Sequence, residues 1–314
     1  DVHQFPVAPR TAIGQHQLGE LLRPARYRAL RSGSNCAYRG QRSSSPNVPE
    51  RGLRGWHPIL TAMSKAVWEQ NELVNDPHQR ADKAQKVQAM FSSIAGAYDL
   101  NNRLHSFGLD QAWRRAAVRI AKVGPRDDVV DIACGTGDLT ELFAKSPART
   151  VLGLDFTPPM LDIARQKSGR RKHAHAVPRY EHGDATALAL ADGSADVVSI
   201  AFGLRNVGDP LRALREFRRV LRPGGRLVVL EFDEPANPLI RAMNRFYTHR
   251  IMPWTASLIA RDSSGAYRYL PRSVETFLDR DRLRTAMLEC GFEHVEQIPL
   301  TFGTCVASCA TVAR

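Results

Sequence analysis

The sequence predicts an α/β fold whose doubly wound, mostly parallel sheet is of Rossmann-like type. From Asp128 onward, short β-branched runs alternate with amphipathic helical stretches in βαβα order, which builds a parallel sheet with helices on both faces. The first run, Val129 to Ile132, passes straight into a turn containing Gly135 and Gly137, two residues without Cβ where a strand must bend tightly into a helix. The next two strands end on Asp155 and Asp184, and ligands of such sheets sit outside the carboxyl ends of the strands.

Residues 1 to 62 hold nine Arg, no Lys and three acids, which is +6 of the chain's net +12, amid Pro, Gly and Ser with little apolar periodicity. They are expected to be disordered, either as a dispensable leader or as an upstream extension of a chain that starts naturally at Met63. Their Arg-rich, acid-poor character also fits a mitochondrial transit peptide, without a clear amphipathic helix. The folded domain is expected to span residues 63–314.

Within it, Val87, Met90, Phe91 and Ile94 have helical spacing and predict an amphipathic helix over Lys83 to Tyr98. A second helix covers Ala112 to Val123 and stops at Gly124 and Pro125. Strand one starts at Asp128 and is followed by a helix near Leu139 to Lys145. Strand two, Val151 to Phe156, leads to a helix over Pro158 to Lys167. Strand three ends at Asp184, with a short helix or turn before Asp192. Strand four, Ala195 to Phe202, precedes the amphipathic helix Leu211 to Leu221, a turn at Pro223 to Gly225, and strand five, Arg226 to Phe232. Closing strands start near Gly291, and the last runs from Phe302 through Cys309. Between them, an insertion at about 235–277 rich in Met, Ile, Trp, Phe and Tyr is far longer than an ordinary αβ connection. It forms either the wall of a hydrophobic acceptor pocket or two extra helices packed on the sheet.

No run of about 18 apolar residues is present, and no signal peptide is visible. The five Cys form no CxxC pair and lack a His cluster, so no metal site is expected and a reducing compartment is. Cys134 lies in the glycine turn without a neighbouring His to activate it, and fits there as a small residue. The basic balance raises nucleic-acid binding. Half the excess charge sits in the first 62 residues, however, and no RNP-type aromatic motif, zinc knuckle or KH loop appears. Attraction to an anionic membrane explains a basic surface equally well.

The glycine turn narrows the ligand. A dinucleotide loop adds a third glycine and aims helix amides at a pyrophosphate. Here Asp138 stands at the mouth of the helix, where a carboxylate would repel phosphate. A ligand with an adenosine, no phosphate and a cationic end fits better, and S-adenosylmethionine answers that description. The loop would contribute Asp131, Gly135, Thr136 and Gly137; Asp155 would accept the ribose hydroxyls; Asp184 and Ala185 would meet the adenine edge. The alternative is that the three Asp are ordinary turn formers at strand ends.

Further stretches resemble the quinone C-methyltransferases of menaquinone and ubiquinone biosynthesis, the UbiE/MenG family, from about Val87 to Thr304. They are Phe91 to Ala95 with Tyr98 and Asp99; Asn102, Ser106 to Gly108 and Trp113; the loop Asp131 to Asp138; Phe202 to Val207; Arg219 to Gly225 with Leu230 and Glu231; and Tyr267 to Leu270. The chain departs from that pattern at Asn101, Ala201 and Asp233, and its last strand lacks the usual His. Ala201 removes a hydroxyl that in the family helps hold the cofactor.

The resemblance implies a class I methyltransferase that methylates a ring carbon of a polyprenylated quinol, demethylmenaquinol ahead of the benzoquinol of ubiquinone biosynthesis or another small lipid or phenol. It implies that Arg205 and Asn206, at the end of strand four, hold the quinol oxygen, Arg205 by charge and Asn206 by hydrogen bonding. For Arg205 the alternative is a surface ion pair. Arginine is a poor base, so a water relayed through Tyr98 or Asp99 is the expected proton acceptor. The expected partners are the quinol, a transient membrane contact and a homo-oligomer, with no nucleic acid. The expected location is the cytoplasm, peripheral to the membrane, or the mitochondrial matrix if residues 1–62 are a transit peptide.

Overall fold

In the computed structural model, the residues described are 67–69, 72–73, 76–260 and 265–314, without the side chains of 257–260. All belong to one unit, Thr61–Arg314. The expected leader, residues 1–62, lies outside them.

A seven-stranded sheet organises this unit. Its strands are β1 (Asp128–Ile132), β2 (Thr150–Asp155), β3 (Arg179–His182), β4 (Ala195–Ala201), β5 (Leu221–Phe232), β6 (His294–Leu300) and β7 (Cys305–Thr311), in the order β3-β2-β1-β4-β5-β7-β6. The first five run parallel, and β7 pairs antiparallel with both β5 and β6. From β1 the chain winds outward through β2 and β3, then returns to the other side of β1 for β4 and β5. The topological switch point, where such sheets bind ligands, therefore lies between β1 and β4. Central β4 is buried on both faces through Val197, Val198 and Ile200, as expected for a sheet covered by helices on both sides.

The helices are α1 (Lys83–Ile94), α2 (Tyr98–His105), α3 (Leu109–Ala121), α4 (Asp138–Ala144), α5 (Pro158–Gly169), α6 (Pro210–Val220), α7 (Pro238–Phe246), α8 (Met252–Ala260), α9 (Ala266–Glu275) and α10 (Arg280–Glu289). Three begin on side-chain caps: Asp209 accepts from the Arg212 amide, Asn237 from Leu239 and Asp279 from Arg282. Phe217 and Leu214 of α6 join Leu283 and Met287 of α10 in the core on one face of the sheet. Trp113 and Ala117 of α3 join Phe143 of α4 on the other.

Several boundaries differ from expectation. The helix predicted over Lys83 to Tyr98 breaks at Ala95–Ala97, around Gly96, a weak helix former, and restarts as α2. Of the short helix or turn expected between β3 and β4, the turn is what forms, with an isolated Asp184 to Ala187 bridge. β5 starts at Leu221, with the Pro223 to Gly225 turn absorbed as a register shift against β4. The insertion holds α7, α8 and α9, with a π-helical turn at Tyr247–Ile251 joining the first two. α10 was not anticipated.

Candidate active site

At the carboxyl end of β1 the backbone turns through left-handed conformations at Ala133 (φ 50), Gly135 (φ 56) and Gly137 (φ 83). Gly137 has no room for a side chain: a Cβ there would lie 2.7 Å from the Tyr180 hydroxyl. Asp155, arriving on β2, holds the loop. Its Oδ2 accepts the Gly135 amide at 2.8 Å and its Oδ1 the Thr157 amide at 2.7 Å. Burial raises the Asp155 carboxyl above its ordinary value, and these two amides work against that rise.

Three of the loop amides are thus used within the protein: Gly135 donates to Asp155, Cys134 to Leu154 O at 3.0 Å and Gly137 to Cys134 O at 2.9 Å. Those three cannot join a nest for a phosphate. This geometry replaces the charge argument drawn from Asp138. Lys167 Nζ at 2.6 Å and Arg103 Nη2 at 2.5 Å both donate to Asp138; against the effect of burial they hold it at about 2, paired rather than repelling. Cys134 is held well above its ordinary thiol range by burial, which fits a packing role.

A cavity of about 120 Å³ opens along this loop. Gly135, Asp155, Asp184 and Ala185 line it, while Asp131, Thr136 and Gly137 do not. Asp131 is buried behind the loop, accepting from Thr140 Oγ1 and Ser199 Oγ at 2.6 Å each, and desolvation raises it to about 6. It ties β1 to α4 and β4 instead of facing a ligand. Thr136 Oγ1 donates to Asp99, which also meets Lys167 Nζ at 2.7 Å. Asp99 therefore latches α2 to the glycine loop and lines neither cavity described here. Apolar lining that the sequence reading missed comes from Phe156, Met160 and Phe91.

A second cavity, of about 280 Å³, lies beside the first, between α1 to α3 and the inserted helices. Its lining combines aromatic and apolar residues, including Trp113, Phe232, Tyr267 and Met252, with polar and charged ones, including His105, Arg114 and Asp233. Phe91, Tyr98, Phe202 and Asn206 line both cavities and mark where the two meet.

The turn after β4 shapes that junction. Phe202 sits at φ 57, a strained conformation for an aromatic residue. Its carbonyl is clamped by Arg205 Nη1 at 2.7 Å and Asn206 Nδ2 at 3.2 Å. Asn206 Oδ1 accepts from the Tyr269 hydroxyl at 3.0 Å, and Tyr269 stacks on Trp68. Lys83 Nζ, buried and lowered to about 8 mainly by desolvation, donates to Val207 O on the far side of the turn. Arg205 is only 4% exposed and pairs with buried Glu231 at 2.8 Å, so the ion pair is internal rather than on the surface. Tyr98 reaches the junction, with its phenol raised by burial and so kept protonated. Lys83, Glu231 and Tyr269 were not singled out as site residues in the sequence. Glu231 and Tyr269 fall in the resembling stretches, whereas buried Lys83 left no local signal.

A profile of the ubiE/COQ5 methyltransferase family matches residues 79–312. The chain belongs to that family. Among its relatives are the demethylmenaquinone methyltransferases of Deinococcus radiodurans, 45% identical over 71% of this chain and 91% of the relative, and of Thermus thermophilus, 47% identical over 68% and 96%. The ubiquinone/menaquinone biosynthesis C-methyltransferase UbiE of Geotalea daltonii is 38% identical over 71% of this chain and 94% of its own. The fold is shared with a chain from the complex of the Haloferax volcanii Trm112 methyltransferase activator with a methyltransferase (TM-score 0.53, 18% identity, 71% of this chain and 98% of that one). It is shared also with the cyclase SpnF (TM-score 0.53, 16% identity, 73% and 96%). A cyclase on this fold shows why the chemistry must be argued from the site.

As a ubiE/COQ5 family methyltransferase, the chain needs a methyl donor and an acceptor side by side. The loop of β1 and the turn of β4, on opposite sides of the switch point, provide the two walls. Ala133 and Gly203 bring them close together: a Cβ on Gly203 would lie 2.7 Å from that of Ala133.

Proposed function

We propose that this methyltransferase uses S-adenosylmethionine to methylate a ring carbon of a polyprenylated quinol, with demethylmenaquinol preferred over the benzoquinol of ubiquinone biosynthesis. The observation that carries this reading is the meeting of two unlike cavities at Phe91, Tyr98, Phe202 and Asn206. One is lined by the glycine loop and the strand-end carboxylates Asp155 and Asp184; the other is larger and sets the rings of Trp113, Phe232, Tyr247 and Tyr267 among charged groups such as Arg114 and Asp233. The smaller cavity fits the donor. Asp155 offers a carboxylate at the end of β2 for ribose hydroxyls, Phe156, Met160 and Ala185 offer apolar cover for an adenine, and the Cys134, Gly135 and Gly137 amides are engaged within the protein, as suits a ligand without phosphate. When bound, this donor supplies an electrophilic methyl group on a cationic sulfur.

The protein's part is alignment and exclusion of water. A sulfonium loses its charge during transfer, so an apolar, closed junction favours the reaction, and holding the ring carbon in line supplies most of the rate. Phe202 and Phe91 close the junction, and Asn206 is oriented by Tyr269 to meet a quinol oxygen. The charge of Arg205 is shared with Glu231, so its role is to hold the Phe202 carbonyl and bias the local field, more than to offer a free cation to a phenolate. Asp99, tied to Lys167 and Thr136, is withdrawn as a proton route. Tyr98, protonated and facing both cavities, remains as a relay to water.

The preference for demethylmenaquinol is supported by the Deinococcus and Thermus relatives, while the Geotalea relative carries both quinones in its name. Competition between the two reduced quinols, with labelled S-adenosylmethionine limiting, tests it. More label in the naphthoquinol is expected; equal label, or more in the benzoquinol, would reverse the assignment.

A further inference from the structure

α7 is amphipathic, yet none of its residues is buried. Leu239, Met243 and Phe246, at helical spacing i, i+4 and i+7, are 69%, 65% and 63% exposed, and Trp254 on α8 is 70% exposed. Scattered exposed apolar residues need no explanation, but a stripe of them along one continuous segment does. The segment Pro238 to Ala260 carries three Arg and one His and no Asp or Glu. Glu234, just before it, meets Arg241 and Arg245, while Arg250 is exposed without an ion-pair partner among the described residues. The inner side of the same segment walls the larger cavity through Asn244, Tyr247, Thr248 and Met252. Two further aromatics project nearby from loops of that wall. Phe107 is 77% exposed at φ 54 and lies 5.7 Å from the Tyr247 ring; Phe302, between lining residues Thr301 and Thr304, is 80% exposed at φ 56. Left-handed backbone is costly for an aromatic residue, and here it presents apolar surface to solvent.

We infer that the outer face of α7 and α8, flanked by Phe107 and Phe302, docks on the surface of an anionic lipid bilayer. Apolar and aromatic residues on one side, three arginines with no acid in the segment itself, and a length that lies along a membrane without crossing it form the pattern of an interfacial helix. Glu234 and Glu275 meet Arg241, Arg245 and His249 from outside the segment and leave Arg250 as its exposed cation without a partner among the described residues. Among the described residues no helix is long and apolar enough to span. Arginines complement anionic headgroups, whereas a second copy of this face would bring like charge against like charge. Docking also sets the wall of the acceptor cavity against the bilayer, so that a prenyl tail stays in lipid while its ring enters. This last point rests on the quinol reading; the docking itself does not.

The test is flotation of the full chain with vesicles of phosphatidylcholine plus phosphatidylglycerol, and of phosphatidylcholine alone, without quinol. Binding to the mixed vesicles, weakened by salt, is expected. The triple variant Met243→Glu, Phe246→Glu, Trp254→Glu should lower the bound fraction roughly tenfold or more, while turnover of a short-chain, detergent-dispersed quinol stays unchanged and confirms folding. Brominated lipid should quench the wild-type fluorescence more than that of Trp254→Phe. Equal vesicle binding by wild type and triple variant would overturn the proposal, as would no binding by either. So would a change in sedimentation from dimer to monomer with vesicle binding intact, which would make the face a contact between copies. Vesicle binding without quinol methylation would leave docking standing and remove the proposed acceptor.

Discussion

Arg205 and Glu231 form a 2.8 Å ion pair in which both side chains are buried, directly beneath the turn where the two cavities meet. Removing either partner strands a charge away from water. Glu231→Leu or Arg205→Met alone should each cost about 3 to 5 kcal/mol of unfolding free energy, while the double variant recovers most of it. Urea unfolding of the three variants measures this. Turnover should not recover in the double variant, because the Phe202 carbonyl has lost its Arg205 clamp. Single losses below about 1 kcal/mol would show that the pair is solvated.

Asp155 both faces the smaller cavity and holds the Gly135 amide. Asp155→Ala should weaken S-adenosylmethionine binding by about a hundredfold, the loss of charged hydrogen bonds worth roughly 1.5 to 3 kcal/mol each. Titration calorimetry measures it. Unchanged affinity would remove the ribose assignment.

Asp131 supplies a pH dependence of known sign. Its folded value of about 6 lies above the ordinary 3.8, so the folded state favours the protonated acid. The stability it contributes is fully present below about pH 4 and is lost as pH rises through about 6, by about 3 kcal/mol on full ionisation. Asp131→Asn, which cannot ionise, should lack this fall. The difference between wild-type and variant unfolding free energies across pH 4 to 7 isolates it from Asp138, whose lowered value acts in the opposite direction. A constant difference would contradict the buried position of the carboxyl.

Ala133 and Gly203 couple the two walls of the site. Gly203→Ala should destabilise by about 1 to 3 kcal/mol through overpacking against Ala133 and Ile200. Ala133→Gly should relieve its own left-handed strain and make room for the new methyl. The double variant should therefore exceed additivity by about 1 kcal/mol in thermal or urea unfolding; strict additivity would mean the walls relax independently.

The parts of this fold legible in the sequence were those whose cause is local. The β1 run, its glycines and the Asp at the end of β2 sit within one βαβ unit, and the order of strands followed from alternation. What could not be read depends on partners far along the chain. Asp131 looks like a ligand of the loop, but Ser199, 68 residues on, claims it. Arg205 reads as a cation for the quinol oxygen or as a surface ion pair until Glu231, 26 residues on, arrives beside it on β5 and the pair is buried. Lys83 meets the Val207 carbonyl across 124 residues. α10 has no clear signal in the sequence because only Leu283, Ala286 and Met287 face the core, in a segment otherwise mostly charged or polar. Asp138 looks repulsive to a phosphate until Lys167 and Arg103 pair it; the engaged Cys134, Gly135 and Gly137 amides argue against a phosphate instead.

The most direct test of the central claim is to incubate the purified chain with methyl-labelled S-adenosylmethionine and demethylmenaquinol, reduced or oxidised, and locate the label by mass spectrometry and NMR. Label on the ring carbon of the reduced quinol, and none with the oxidised quinone, is the predicted result. Label on an oxygen, or none in the reduced quinol, would contradict it.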